Sequence, residues 1–123
     1  MTGNKQQVLT GHIQQLRSAL PEIRGALVAT LDGLPIAQAF TDNTDANRVA
    51  AMAATALGLG KRINDTLGSG EFSEMSVSGV GGQVYLYAAG RKGVLDVVTP
   101  GDMNLGLLHM EARDVAREIA ETL

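Results

Sequence analysis

The segment from Ala46 to Leu67 most constrains what this chain can fold into. It reads ANRVAAMAATALGLGKRINDTL, and its apolar and small residues recur at the three- and four-residue spacing of a helix. These residues cover roughly 200° of the helix circumference, whereas one packing face needs only about 100°. A single core cannot use so wide a surface. We therefore expect this helix to pack both on its own sheet and on a second copy of the chain.

The apolar surface of this segment divides into two stripes. The broader stripe is predicted to pack on the sheet and comprises Val49, Met52, Ala53, Ala56, Leu59, Gly60, Ile63 and Leu67. The shallower stripe comprises Ala46, Ala50, Ala54 and Leu57. Because small side chains let another backbone approach closely, the shallower stripe, together with Ala53, is predicted to form a dimer contact.

Composition excludes several classes of function. The 123 residues suffice for one domain, 1–123, and the net charge of −3 without a basic cluster argues against nucleic acid and against a polybasic membrane surface. No apolar run approaches the ~18 residues of a membrane span, so membrane insertion is not expected. The chain has no cysteine, and its first residues lack the apolar region of a signal peptide. We expect a cytoplasmic protein.

The order of predicted elements is αββαβββα. The first helix should run from Asn4 to Leu20, before Pro21, and the strands Ala26–Leu31 and Leu34–Phe40 are joined by the hairpin signal Asp32-Gly33. Because the first strand is apolar at successive positions, helices should cover both faces of the sheet. The remaining elements are the central helix, with Asp42 and Asp45 as capping residues, the strands Phe72–Ser78, Gln83–Ala89 and Val94–Thr99, and a last helix with Asp102 as its N-cap.

No catalytic, cofactor or metal site can be assembled from the residue pattern. Gly58 and Gly60 followed by Lys61 and Arg62 suggest a phosphate loop, but the motif is incomplete and lies inside a helix. The two histidines stand near opposite ends of the chain without metal-ligand spacing, and no serine has a nucleophile context. We predict a non-enzyme without a cofactor or bound metal.

Asp96 is the one charged residue that interrupts an apolar strand. A carboxylate inside a sheet must be paired or exposed, because burying an unpaired charge is costly. Arg24 and Arg91 are the predicted partners, and a functional carboxylate is the alternative.

Three stretches of sequence together resemble the roadblock family. They are LVATLDGLPIAQAF (Leu27 to Phe40), the alanine-rich central helix, and VYLYAAGRKGVLDVVTPGDMNLGLLHMEARDVAREI (Val84 to Ile119). The resemblance implies an α+β fold, within the broad α/β class. In this fold a five-stranded antiparallel sheet carries the central helix on one face and the two terminal helices on the other. It also implies dimerisation through the central helix and the neighbouring strand Phe72–Ser78, so Phe72, Glu74 and Ser76 join the predicted dimer interface.

The same resemblance implies a function. In bacteria, similar proteins regulate small Ras-like GTPases, and eukaryotic relatives are dynein light chains and subunits of GTPase-controlling scaffolds. We therefore expect a homodimer that regulates a Ras-like GTPase, with a structural scaffold and a small-ligand sensor as alternatives. Charges near the central helix make Arg48, Lys61 and Arg62 candidates for contacting the GTPase.

Overall fold

The chain forms three helices and one five-stranded sheet in the predicted order. The structure, a computed structural model, describes residues 4–123. The helices are α1 (Lys5–Ala19), α2 (Ala46–Leu67) and α3 (Leu105–Thr122). The strands are β1 (Gly25–Thr30), β2 (Pro35–Phe40), β3 (Glu74–Gly79), β4 (Gly82–Ala89) and β5 (Gly93–Thr99).

All neighbouring strands of the sheet are antiparallel, and their order is β2-β1-β5-β4-β3. β1 lies second in this order and is buried along nearly its whole length. The prediction that both faces of this strand are covered is confirmed. β2 and β3 form the two edges of the sheet within the described chain.

Each face of the sheet has its own hydrophobic core. The larger core joins α1 and α3 to one face, and the smaller core joins α2 to the other. This arrangement confirms the predicted layers. α2 contacts mainly β1, with fewer contacts to β2, β5 and β4. The part of the sheet face formed by β3 and the adjoining side of β4 is therefore only partly covered by α2.

Local sequence signals account for most element ends. The Asp45 side chain accepts hydrogen bonds from the backbone N–H groups of Asn47 and Arg48, so it caps α2 as predicted. Asp42 does not cap the helix, because its carboxylate accepts from Thr44 instead. Gly33 has a φ of 90°, which is the left-handed conformation that the β1–β2 turn requires.

Two predicted boundaries are wrong. The N-cap of α3 is Asn104, whose side chain accepts from the Leu107 N–H, and not Asp102, which lies in the preceding turn. β3 begins at Glu74 and not at Phe72. Phe72 instead lies against Gly60 of α2, and its half-buried ring joins the smaller core. The other elements begin and end within one residue of the predicted positions.

The predicted division of α2 into two stripes is only partly correct. Of the broader stripe, Ala53 and Gly60 are buried and Val49 and Ala56 pack against the smaller core, as predicted. Four residues at three- and four-residue spacing are buried against the sheet: Ala50, Ala53, Leu57 and Gly60. Ala50 and Leu57 belong to the predicted shallower stripe, yet Ala50 is fully buried and Leu57 is almost fully buried. Large residues of the predicted sheet-facing stripe are exposed, namely Met52, Leu59, Ile63 and Leu67. The small residues lie inward because they let the helix approach the sheet closely.

Candidate functional site

The outer flank of α2 presents a row of large apolar side chains to solvent. Met52 is 57% exposed, and Leu59, Ile63 and Leu67 are exposed as well. The four residues recur at spacings of seven, four and four, so they lie along one side of the helix. A contiguous exposed apolar patch of this kind is typical of a protein-binding surface.

The edge strand β3 lies beside this flank. Its outer edge pairs with no other strand in the described part of the chain, and its residues from Ser76 onward are exposed. Val77 is exposed and faces the same side of the sheet as Val84, its partner in the register. An unpaired edge next to exposed apolar residues is a template for pairing with another strand.

A groove separates α2 from the uncovered part of the sheet. Its volume is about 300 Å³. All but one of the residues that line it are apolar: Val49, Met52, Ala53 and Ala56 from α2, Val77 from β3, Val84 and Leu86 from β4, and Asp96 and Val98 from β5. The groove opens beside the exposed flank of α2, so the two features form one surface, which we call the α2–β3 surface.

Asp96 is the one charged residue that lines this groove. In the sheet register it lies between Leu27 and Leu86, and its side chain is only 3% exposed. Among the residues that the structure describes, none donates a hydrogen bond to its Oδ1 atom. Burial raises the pKa of the Asp96 carboxyl to about 7.

The predicted partners of Asp96 are wrong. Arg91 pairs with Glu71, with 3.0 Å between Nη2 and Oε1. The Arg24 guanidinium lies beside Gly82, the first residue of β4. No lysine, arginine or histidine of residues 4–123 comes within 4.0 Å of the Asp96 carboxylate. A charge inside an apolar strand predicts a partner, because burying an unpaired charge is costly.

The residues predicted to form the dimer interface differ in how deeply they are buried. Ala50, Ala53 and Leu57 are buried within the chain, so their prediction as contacts of a second copy is corrected. Ala46, Ala54 and Phe72 are half-buried. Glu74 and Ser76 lie on the edge strand β3, next to the open edge. Of the three predicted partner-binding residues, Arg48 and Arg62 are exposed and Lys61 is half-buried.

A polar cluster on the opposite face of the sheet was missed by sequence reasoning. Arg113 of α3 donates from Nε and Nη2 to the Glu74 carboxylate, with 2.8 Å between Nη2 and Oε1. The hydrogen bond from Arg113 lowers the pKa of Glu74. Tyr87 Oη lies 2.9 Å from His109 Nδ1 in a hydrogen bond, and burial raises the pKa of Tyr87. This cluster joins α3 to β3 and β4.

Within residues 4–123 the structure has no helix long and apolar enough to cross a membrane. The same residues contain no group of three or more histidine and carboxylate side chains that could hold a metal ion.

Comparison with solved structures supports the fold. The structure is similar to one described as "MglB with tetrameric arrangement", with a TM-score of 0.89 and 17% identity over 99% of this chain and 92% of that chain. It is also similar to MglB of Myxococcus xanthus, with a TM-score of 0.89 and 18% identity over 98% of this chain and 91% of that chain.

Sequence comparison identifies the family to which the chain belongs. An uncharacterized protein of Methanocaldococcus jannaschii, MJ1340, is 34% identical over 79% of this chain and 84% of its own length. The family model described as "Roadblock/LC7 domain" matches residues 9–99, which include β1 to β5 and α2. The chain therefore belongs to the Roadblock/LC7 domain family.

Proposed function

We propose that this protein is a non-catalytic homodimer that regulates a Ras-like small GTPase. The single observation that carries the proposal is the α2–β3 surface, where large apolar side chains on α2 adjoin an unpaired strand edge. A surface built this way suits association with other proteins better than it suits chemistry on a small molecule. The regulatory role rests on the resemblance to the roadblock family.

The dimer contact is proposed to consist of two parts. The exposed flank of α2 packs against the same flank of a second copy, and β3 pairs with its counterpart across a two-fold axis. A two-fold contact uses one patch twice, and the strand edge is then closed in both copies. The tetrameric arrangement described for a structurally similar MglB supports self-association as a property of this fold.

The GTPase is proposed to bind near the charged residues of α2. Arg48, Lys61 and Arg62 remain the candidates, because the structure gives these side chains no ion pair with residues 4–123. An arginine at such a site stabilises charge in the transition state of hydrolysis, and alternatively the surface holds the catalytic residues of the GTPase in place. In either case the cofactor and metal of the reaction belong to the GTPase. We expect both proteins to act in the cytoplasm.

A hydrolysis assay tests the proposed function. The small GTPase encoded nearest to this protein is purified, and its rate of GTP hydrolysis is measured with and without this protein in excess. The proposal predicts a changed rate and binding that depends on the bound nucleotide. Binding that is equal in the GDP and GTP states, with an unchanged rate, would instead establish a scaffold subunit.

A small-ligand sensor has less structural support. A cavity of about 490 Å³ between β3, β4 and α3 is large enough for a metabolite, and three arginines line it. Each of these arginines already pairs with a carboxylate: Arg91 with Glu71, Arg113 with Glu74 and Arg117 with Asp114. The positive charges that would attract an anionic ligand are therefore already paired with carboxylates of the same chain.

A further inference from the structure

The groove of the α2–β3 surface contains one acid among apolar walls. Asp96 is almost completely buried, and among the described residues none donates a hydrogen bond to its Oδ1 atom. Two of the lining residues, Met52 and Val77, are more than half exposed, so the groove opens to solvent between α2 and β3. Whatever covers this opening determines the surroundings of the acid.

The side of α2 that borders the groove is apolar over about three turns. Met52 and Ala56 line the groove. Leu59 and Ile63 follow these two residues by seven positions each, which is about two helical turns, so they lie on the same side of the helix. The exposed flank of α2 and the groove therefore face in the same direction.

The two arginines of α2 lie on different sides of the helix. Arg62 follows Ala51 by eleven positions, about three turns, and Ala51 lies beside Gly33 of the β1–β2 turn. Arg62 therefore points away from β3. Arg48 precedes Leu59 by the same spacing, so it is the arginine that lies in line with the exposed flank, in the first turn of the helix.

The proposed pairing of β3 with its counterpart brings the second copy over the groove. β3 has six residues, so an antiparallel pair of four or more residues places the two-fold axis between Met75 and Ser78. Val77 then lies within two residues of the axis. The two α2 helices lie on the same face of one continuous sheet, with both grooves between them. Because α2 has 22 residues and is about 33 Å long, the helix of the second copy extends past the groove.

We propose that, in the homodimer, the exposed flank of α2 of each copy closes the groove of the other copy and holds Asp96 there as a neutral acid. This inference rests on the proposed function, because it requires the dimer. Apolar side chains fill the groove, and a protonated carboxyl costs much less in such surroundings than a carboxylate does. The dimer is then a form of the protein that requires the proton.

Closure of the groove makes dimerisation depend on pH. No titratable group other than Asp96 lines the groove from α2 or from the sheet. Asp45 and Arg48 lie beyond it at the start of α2, and Glu74 pairs with α3 on the opposite face of the sheet. In the separate chain the pKa of Asp96 is about 7, and removal of the remaining water raises this pKa further. Above pH 7 a proton is therefore taken up at each groove when the dimer forms, so the dimer weakens as the pH rises.

The test is the dimer dissociation constant, measured by sedimentation equilibrium at pH 6, 7, 8 and 9. For the unmodified chain we expect little change below about pH 7 and a rise above it, by up to about tenfold per pH unit for each of the two carboxyls. Asp96→Asn keeps the neutral shape of the acid and should remove this rise. Asp102→Asn is the control, because Asp102 is an exposed acid outside the α2–β3 surface, and the rise should persist in this variant.

The other outcomes separate this inference from the proposed function. A constant that falls with rising pH, and that loses this dependence in Arg48→Gln, would show a charged pair in place of a neutral acid. A dimer whose constant is the same at every pH would show that the groove stays open to water and to another occupant. Either result would overturn the closure of the groove while leaving the dimer and its regulatory role intact. A chain that is monomeric at every pH would overturn the dimer as well.

Discussion

The buried carboxyl of Asp96 makes the stability of the fold depend on pH. Its neighbours in the sheet register are leucines, and the groove in front of it is apolar. The pKa of its carboxyl is about 7 in the folded chain, compared with an ordinary value of 3.8. Between these two values the folded chain holds a proton that the unfolded chain releases. The free energy of unfolding therefore falls as the pH rises through this range.

Asp96→Asn should become progressively more stable than its parent as the pH rises from 4 to 7. A difference of one pKa unit corresponds to about 1.4 kcal/mol, so the shift of about three units predicts a relative gain of up to ~4 kcal/mol. Urea unfolding of both chains in a monomeric background, Leu59→Glu, measures this gain. A constant difference between the two chains across the range would contradict the account of Asp96.

The Glu74–Arg113 pair predicts a pH effect of the opposite sign. Because the hydrogen bond from Arg113 lowers the pKa of Glu74 below 4.5, its stabilisation is present above that pH and is lost as the pH falls through the lowered value. Glu74→Gln should therefore lose less stability than its parent on acidification from pH 5 to pH 3. Thermal unfolding at several pH values tests this. Glu71→Gln is the control, because the Glu71–Arg91 pair is largely exposed and contributes little.

At the scale of elements, α2 places its small residues inside and its large residues outside. Gly60 shows why: a Cβ at this position would lie 2.5 Å from the Phe72 ring and 3.0 Å from the end of the Met75 side chain. Gly58, only two residues earlier, faces open space and has no atom within 4 Å of such a Cβ. The two glycines therefore have different roles in the same helix.

Gly60→Val and Gly58→Ala should have opposite effects on stability. Gly60→Val forces Phe72 and Met75 to move, and overpacking of this kind costs about 1–3 kcal/mol. Gly58→Ala meets no neighbour and should gain about 0.5–1 kcal/mol from the higher helix propensity of alanine. Urea unfolding of the two variants measures both effects. A stabilised Gly60→Val chain would contradict the close contact between α2 and Phe72.

The sequence predicts the elements of this fold better than it predicts their faces. Hairpin and capping signals such as Asp32-Gly33 and Asp45 are local, and the structure confirms both. The spacing of residues in α2 establishes that the helix has two apolar sides, but it does not determine which side the sheet covers. The intuitive choice of large residues for the core is wrong here, because Ala50 and Ala53 give a closer approach than Met52 would.

The polar contacts of the candidate site cannot be predicted from the sequence, because they depend on the tertiary structure. Glu74 and Arg113 are 39 residues apart in the chain, and their contact depends on where α3 crosses the sheet. Asp96 is conspicuous in the sequence as a charge inside an apolar strand, but its lack of a partner among residues 4–123 depends on the tertiary positions of Arg24 and Arg91. The strand pattern locates such residues, and only the fold determines what surrounds them.

At the scale of the whole molecule, the helices do not fully cover one face of the sheet. α1 and α3 cover one face of the sheet, whereas α2 leaves part of the other face, next to the edge strand β3, uncovered. A second copy placed by a two-fold axis would cover the apolar residues and close the edge in one step. The proposed regulation of a GTPase depends on this dimer, because the dimer presents the charged residues of both α2 helices together.

Sedimentation velocity of the unmodified chain and two glutamate variants tests the dimer most directly. At low micromolar concentration the unmodified chain should sediment as a dimer, with twice the chain mass of 12.9 kDa. Leu59→Glu places a charge in the proposed contact and should sediment as a folded monomer. Leu34→Glu changes an equally exposed leucine outside the contact and should remain a dimer. An unmodified chain that sediments as a monomer, or a Leu59→Glu variant that remains a dimer, would contradict the account.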